Sequence, residues 1–197
     1  MYNSIYNRRS VRKYLDRNVS KEMIEQIIDA GRMAPSAKNR QPWKYIVLGG
    51  EHKAEFLKHM QKGIIREENE CALLPDSKKG IPDAKNTYKI MVEAPILIVI
   101  LNSNCGTPFA EIDTDNRFVE ICDTLSIGAS IENMLLKATD MGLGTLWIAN
   151  TCYAYEELTT YLNTTKQLVG AIALGYADEK PAQRPRKPIE EIVEYRL

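Results

Sequence analysis

Near the N-terminus, apolar positions fall first at helical and then at strand spacing. Met23, Ile24, Ile27, Ile28 and Gly31 recur behind Ser20, a residue type that caps helix N-termini, and predict an amphipathic helix that Pro35 helps to end. Trp43 to Leu48 reads as a strand closed by Gly49-Gly50, and Glu51 to Lys62 as a second helix that stops at Gly63. From Gly63 to Lys85 the period is lost. Mixed charges, Pro75, Gly80 and Pro82 predict a surface excursion there, either a lid over a site or a plain loop. A short helical stretch then runs up to Glu93-Ala94-Pro95. Ile96 to Leu101 is apolar at every position and rich in β-branched side chains, the pattern of a strand covered on both faces. Between Asn116 and Met141, the residues Val119, Cys122, Leu125, Ala129, Met134, Leu135 and Ala138 occupy overlapping helical faces, so this helix needs cover nearly all round. Ser126, Gly128, Ala129 and Ser130 are small enough to admit another backbone, from the same domain or from an identical subunit. Thr145 to Ile148 and Leu168 to Leu174 read as two further buried strands, with an amphipathic helix around Tyr155 to Leu162 between them. Strands interleaved with helices, without repeats or an obvious linker, predict an α+β (mixed α/β) fold in a single domain over residues 1–197.

Composition narrows the class. A chain of 197 residues can bury roughly 70% of its unfolded surface, and 44% hydrophobic with 26% charged residues is the balance of a folded globular protein. The 26 Lys+Arg are cancelled by 26 Asp+Glu, so no basic excess favours nucleic acid. The opening residues carry no apolar run, and no stretch approaches the length of a membrane span, so a cytoplasmic protein without a membrane partner is expected. Cys71, Cys105, Cys122 and Cys152 show no CxxC spacing, which makes reduced thiols the default. Cys105-Gly106 is a loop in which the thiol could be reactive or inert. His52 and His59 share a predicted helix but have no third ligand nearby, so no metal site is expected.

Three segments carry candidate chemistry. Arg8-Arg9-Ser10-Val11-Arg12 and Arg184-Pro185-Arg186-Lys187-Pro188 lie at opposite ends of the chain, and are either two solvated faces or two halves of one anion site. Guanidinium groups present rigid forks of N–H donors that match phosphate geometry, which is the chemistry such a site would use. Ala34 to Trp43, with Ser36 and Asn39, is a polar turn bracketed by prolines at a helix end. In Gly142-Leu143-Gly144-Thr145-Leu146-Trp147-Ile148-Ala149-Asn150 a Gly-x-Gly follows a helix rather than a strand and lacks the third glycine, which argues against a dinucleotide fingerprint. No Ser-His-Asp or Cys-His arrangement is legible.

Taken together, RRSVR at Arg8–Arg12, APSAKNRQPW at Ala34–Trp43, EAP at Glu93–Pro95, GLGTLWIAN at Gly142–Asn150 and RPRKP at Arg184–Pro188 make the chain resemble the nitroreductase family of flavoproteins. The resemblance implies a central mixed sheet of four to five strands wrapped by helices, and an intertwined homodimer with FMN at the subunit interface. It places Arg8, Arg9, Ser10 and Arg12 around the FMN phosphate, ribityl chain and pyrimidine end, and makes Arg184 and Arg186 the C-terminal phosphate ligands. Pro35, Ser36, Ala37 and Asn39 would reach the flavin from the other subunit, and the backbone at Ala149 and Asn150 would face flavin N5. Lys85, Asn86 and Lys89 are the candidates to balance charge near N1 and O2. The implied activity is a ping-pong, two-electron oxidoreduction from NADH or NADPH to a small-molecule acceptor such as a nitroaromatic or quinone, with the chemistry carried by the cofactor. Alternatives are a flavin-binding or redox-responsive protein with little turnover, or a reductive dehalogenase-like or flavin-degrading member of the same fold.

Overall fold

The computed structural model describes residues 2–69 and 71–197. Ten regular elements follow in chain order: α1 (Tyr2–Asn7), α2 (Lys21–Arg32), β1 (Trp43–Leu48), α3 (Gly50–Glu68), α4 (Ile81–Glu93), β2 (Ile96–Asn102), α5 (Thr114–Asp140), β3 (Gly144–Ile148), α6 (Tyr155–Tyr161) and β4 (Gln167–Gly175). The four strands form one sheet in the order β1-β2-β4-β3, each neighbouring pair antiparallel. The sheet is thus antiparallel throughout, not mixed as the resemblance implies, and only an isolated parallel bridge between Ser10 and Thr145 lays the N-terminal segment beside β3.

The central strands β2 and β4 are buried on both sides, as the uniformly apolar β2 predicts. Leu97, Val99 and Leu101 point into one core with Phe56, Met60, Ala84, Met91 and Leu158 from α3, α4 and α6. Ile98 and Ile100 point into the other, with Ile24 and Ile27 of α2 and Ile127, Ile131 and Met134 of α5. The period-2 alternation of side chains sends successive residues of one strand to opposite cores. Ser20 caps α2 as expected, its hydroxyl accepting from Met23 N–H at 3.3 Å, and Asp113 does the same for α5 at Asn116.

The structure departs from the sequence reading at Gly63. Helix α3 does not stop there but continues to Glu68. A Cβ on Gly63 would lie 2.3 Å from Ala154 Cα, so glycine is needed for close packing rather than for a turn. The segment read as an excursion is also tied down. The fully buried Glu67 carboxylate accepts from Leu73 N–H at 2.9 Å and Leu74 N–H at 3.1 Å, and Tyr153 donates to Ser77 O at 3.0 Å. Arg66 locks the helix end to α6, with Nε 2.7 Å from Glu157 Oε1 and Nη2 3.1 Å from Glu157 Oε2.

Candidate functional site

The two arginine segments converge. Arg8, Arg9, Ser10 and Arg12 line one cleft of about 70 Å³ together with Pro181, Ala182, Gln183, Arg184 and Arg186. Their convergence is built by backbone pairing. Val11 N–H donates to Thr145 O at 2.9 Å, Leu15 N–H to Tyr176 O at 2.9 Å, and Asp178 N–H to Lys13 O at 2.9 Å, while Tyr14 and Ala177 form an antiparallel bridge. Gly144 permits the approach, because a Cβ there would lie 2.9 Å from the Val11 side chain. The buried Tyr14 phenol donates to Val11 O at 2.9 Å, and burial, with the Glu179 carboxylate adding to it, pushes that phenol far above its ordinary range, so it stays a donor.

Charge in this cleft is left over. Among the described residues, the guanidinium groups of Arg9, Arg12, Arg184 and Arg186 have no carboxylate partner. Those of Arg9, Arg12 and Arg186 instead donate to nearby backbone carbonyls. Arg8 differs: its Nε lies 3.2 Å from Glu132 Oε1 on α5, so part of its charge is already met. This donor set suits a compact dianion, and a phosphate would offset the mutual repulsion of the clustered guanidinium groups.

Arg12 also lines a second cleft of about 260 Å³, shared with Asp83, Asn86, Thr87 and Ile90 of α4, Leu146, Trp147 and Ile148 of β3, and Ala149 and Asn150. Asn150 Nδ2 donates to Asp83 Oδ2 at 2.8 Å and to Thr87 Oγ1 at 2.9 Å, which pins the turn after β3 to the first turns of α4. Trp147 is 45% exposed, against the expectation of a buried strand, and its indole lies toward Gly128 of α5 and Gly170 of β4. Of the three candidates for charge balance, Asn86 faces the cleft. Lys85 turns away to pair with Glu68 at 2.5 Å, and it lines a different groove with Lys89, between α3 and α4. One cleft rich in guanidinium donors thus shares Arg12 with a second lined by the amides of Asn86 and Asn150, a pairing that fits a phosphorylated heterocycle such as FMN.

Pro35, Ser36, Ala37 and Asn39 line neither cleft. They sit against α5, where Ala37 N–H donates to Ser126 Oγ at 3.2 Å and Arg40 pairs with Asp123 at 2.7 Å. Burial, with Glu120 and Asp123 nearby, pushes the Cys105 thiol up and away from the reactive thiolate. No cluster of metal-ligating side chains and no helix long and apolar enough to cross a membrane occurs among the described residues. Sequence reasoning missed Glu132, Asp83, Trp147 and Glu179. Asp83 and Thr87 stand one helical turn apart, a spacing that was legible once the helix start was known.

The family model described as the nitroreductase family matches residues 5–176. The chain belongs to the nitroreductase family. It is similar to an Archaeoglobus fulgidus protein provisionally named NADH dehydrogenase/NAD(P)H nitroreductase, at 32% identity over 183 residues that cover 89% of this chain and 85% of that one. Among solved structures it is similar to a BluB-like flavoprotein from Clostridium difficile 630, with a TM-score of 0.78 and 26% identity over 100% of this chain and 98% of that one. A Desulfovibrio desulfuricans protein solved in complex with FMN, provisionally a nitroreductase, has a TM-score of 0.73 at 23% identity, covers 100% of this chain and 96% of its own, and speaks for the fold alone. The nitroreductase fold is therefore present, and the sheet has four strands of the four to five expected, all antiparallel.

Proposed function

We propose that this nitroreductase-family chain is an FMN-dependent NAD(P)H oxidoreductase, a single domain that works as a homodimer and reduces a small electrophile such as a nitroaromatic or a quinone. The carrying observation is the meeting of Arg9, Arg12, Arg184 and Arg186 in one cleft without carboxylate partners among the described residues, with Arg12 shared by the cleft beside β3. In this reading the arginines and Ser10 hold the phosphate and ribityl chain, with Arg8 contributing what Glu132 leaves free. Arg12 lies where the two clefts join and brings positive charge to the pyrimidine end. Ala149 and Asn150 present backbone N–H groups toward flavin N5, and the contacts of Asn150 with Asp83 and Thr87 keep that turn in place. Pro35, Ser36, Ala37 and Asn39, which line neither cleft of their own chain, would reach the flavin of the partner protomer. When bound, FMN would supply two-electron transfer from NADH or NADPH to the acceptor.

Two measurements test this together. Titration with FMN is expected to give a yellow protein with quenched flavin fluorescence, and NADH or NADPH added anaerobically is expected to bleach it until a nitro compound or quinone is supplied. A protein that stays colourless in excess FMN contradicts the reading. Tight FMN that neither nucleotide reduces would favour a flavin-binding protein with little turnover.

A further inference from the structure

The segment Ser36–Gln41 holds three non-glycine residues in the left-handed region: Lys38 at φ 53°, Asn39 at φ 52° and Gln41 at φ 47°. Such a conformation is strained for a residue with a side chain and persists where its surroundings over-determine it. Here the surroundings are a buried carboxylate. Asp123 of α5 has no exposed side-chain surface, and its Oδ1 accepts from Arg40 Nε at 2.8 Å and faces Arg40 Nη2 at 2.7 Å. Its Oδ2 accepts from Asn104 Nδ2 at 2.9 Å. Asn104 is in turn rooted in the sheet, since its N–H donates to Asn102 Oδ1 at 3.1 Å and Asn102 Nδ2 donates to Gln167 Oε1 at 3.1 Å. One turn further along α5, Ser126 accepts from Ala37 N–H at 3.2 Å. The segment is thus gripped on both sides of Asn39, whose own side chain is exposed and makes no hydrogen bond among the described residues.

We infer that Asp123 is a positioning residue: through Arg40, itself in the right-handed region, it holds Lys38, Asn39 and Gln41 in the left-handed conformation and so sets the direction in which Asn39 is offered to a bound flavin. The inference rests on the proposed function for the identity of that ligand, but not for the grip itself. Removing the negative charge releases Arg40, and the strained backbone relaxes toward ordinary φ values. Asn39 then loses its aim while the core, which packs on other faces of α5, keeps its contacts.

The test is a double-mutant cycle of Asp123→Asn and Asn39→Ala, with Arg40→Lys as a second way to weaken the grip should Asp123→Asn fold poorly. FMN affinity is read by flavin fluorescence, and backbone hydrogen exchange of residues 36–41 is read by mass spectrometry without FMN. Each single substitution is expected to weaken FMN binding by about tenfold, and the double substitution by no more than either one, because both remove the same contact. Asp123→Asn is also expected to speed exchange in the segment, whereas Asn39→Ala is not. Multiplying losses, or unchanged exchange in both Asp123→Asn and Arg40→Lys, would overturn the positioning role while leaving the flavin reading intact. Faster exchange in a protein that binds no FMN would sustain the grip and remove the flavin.

Discussion

Arg12 donates its backbone N–H to the Glu179 carboxylate, across 167 residues of sequence, and so joins the segment carrying one half of the basic cleft to the segment that leads to the other. The contact uses the main chain of Arg12, so its guanidinium group is left for a ligand. Glu179→Gln is expected to weaken this tie and lower FMN affinity a few-fold, since a charge-assisted hydrogen bond is replaced by a neutral one. An isothermal titration showing unchanged affinity would mean that the backbone pairs at Lys13 and Leu15 suffice.

Arg12→Ala and Arg186→Ala are each expected to reduce FMN affinity more severely, by about tenfold to a hundredfold, because hydrogen bonds to charged groups contribute roughly 1.5–3 kcal/mol. Both side chains are exposed, so melting temperatures of the ligand-free proteins should move little. A matched fall in melting temperature with intact affinity would reassign them to structure.

No lysine of α4 faces the cleft beside β3, where Asn86 stands. In the proposed reading, Asn86→Lys adds a cation near the place where reduction deposits negative charge. The two-electron midpoint potential of bound flavin is expected to rise, by about 30 mV if the charge favours the reduced form by about 1.4 kcal/mol. A potential that is unchanged or lower, measured by dye equilibration, would show that position 86 does not address the flavin.

Gly63→Ala should destabilise the fold. Overpacking against Ala154 costs about 1–3 kcal/mol, against the ~1 kcal/mol that alanine gains over glycine in a helix. The new Cβ would sit 2.3 Å from backbone, which cannot rotate away. A melting temperature lower by a few degrees is expected by calorimetry. Unchanged melting would mean that α3 and the turn after β3 slide apart without cost.

The Glu157 carboxyl is set by opposing effects. Burial raises its pKa, but the Arg66 hydrogen bonds, a backbone N–H and the Arg66 charge outweigh this and leave it below the ordinary carboxylate range. A depressed folded pKa contributes stability above the unfolded value, and that contribution is lost as pH falls through the folded one. The melting-temperature gap between the wild type and Glu157→Gln should therefore be open at pH 7 and close below about pH 4. A gap that persists at low pH would mean that the pair acts through packing.

Much of this fold was readable because its signals are local. The run Ile96–Leu101 announces a doubly covered strand, and Ser20 announces a helix start, from a handful of neighbouring residues. Gly63 misled for the opposite reason: the same residue serves a turn or a close packing, and only Ala154, far along the chain, decides between them. The arginine segments were visible as charge, and the resemblance placed them together. The pairing that joins them, from Val11–Thr145 to Leu15–Tyr176, is made by backbone and leaves no residue-specific trace. Trp147 was read as core because a strand pattern does not say whether the covering helix reaches its end.

The seam between residues 11–15 and 176–179 has a consequence for the order of events in the cell. During synthesis Arg8 to Arg12 leave the ribosome early, yet the pocket they belong to has no second wall until Arg184 and Arg186 have also emerged. In the proposed reading an anionic cofactor is captured only once both segments have been made, and it then spans that seam and fastens residues 8–12 to residues 184–186.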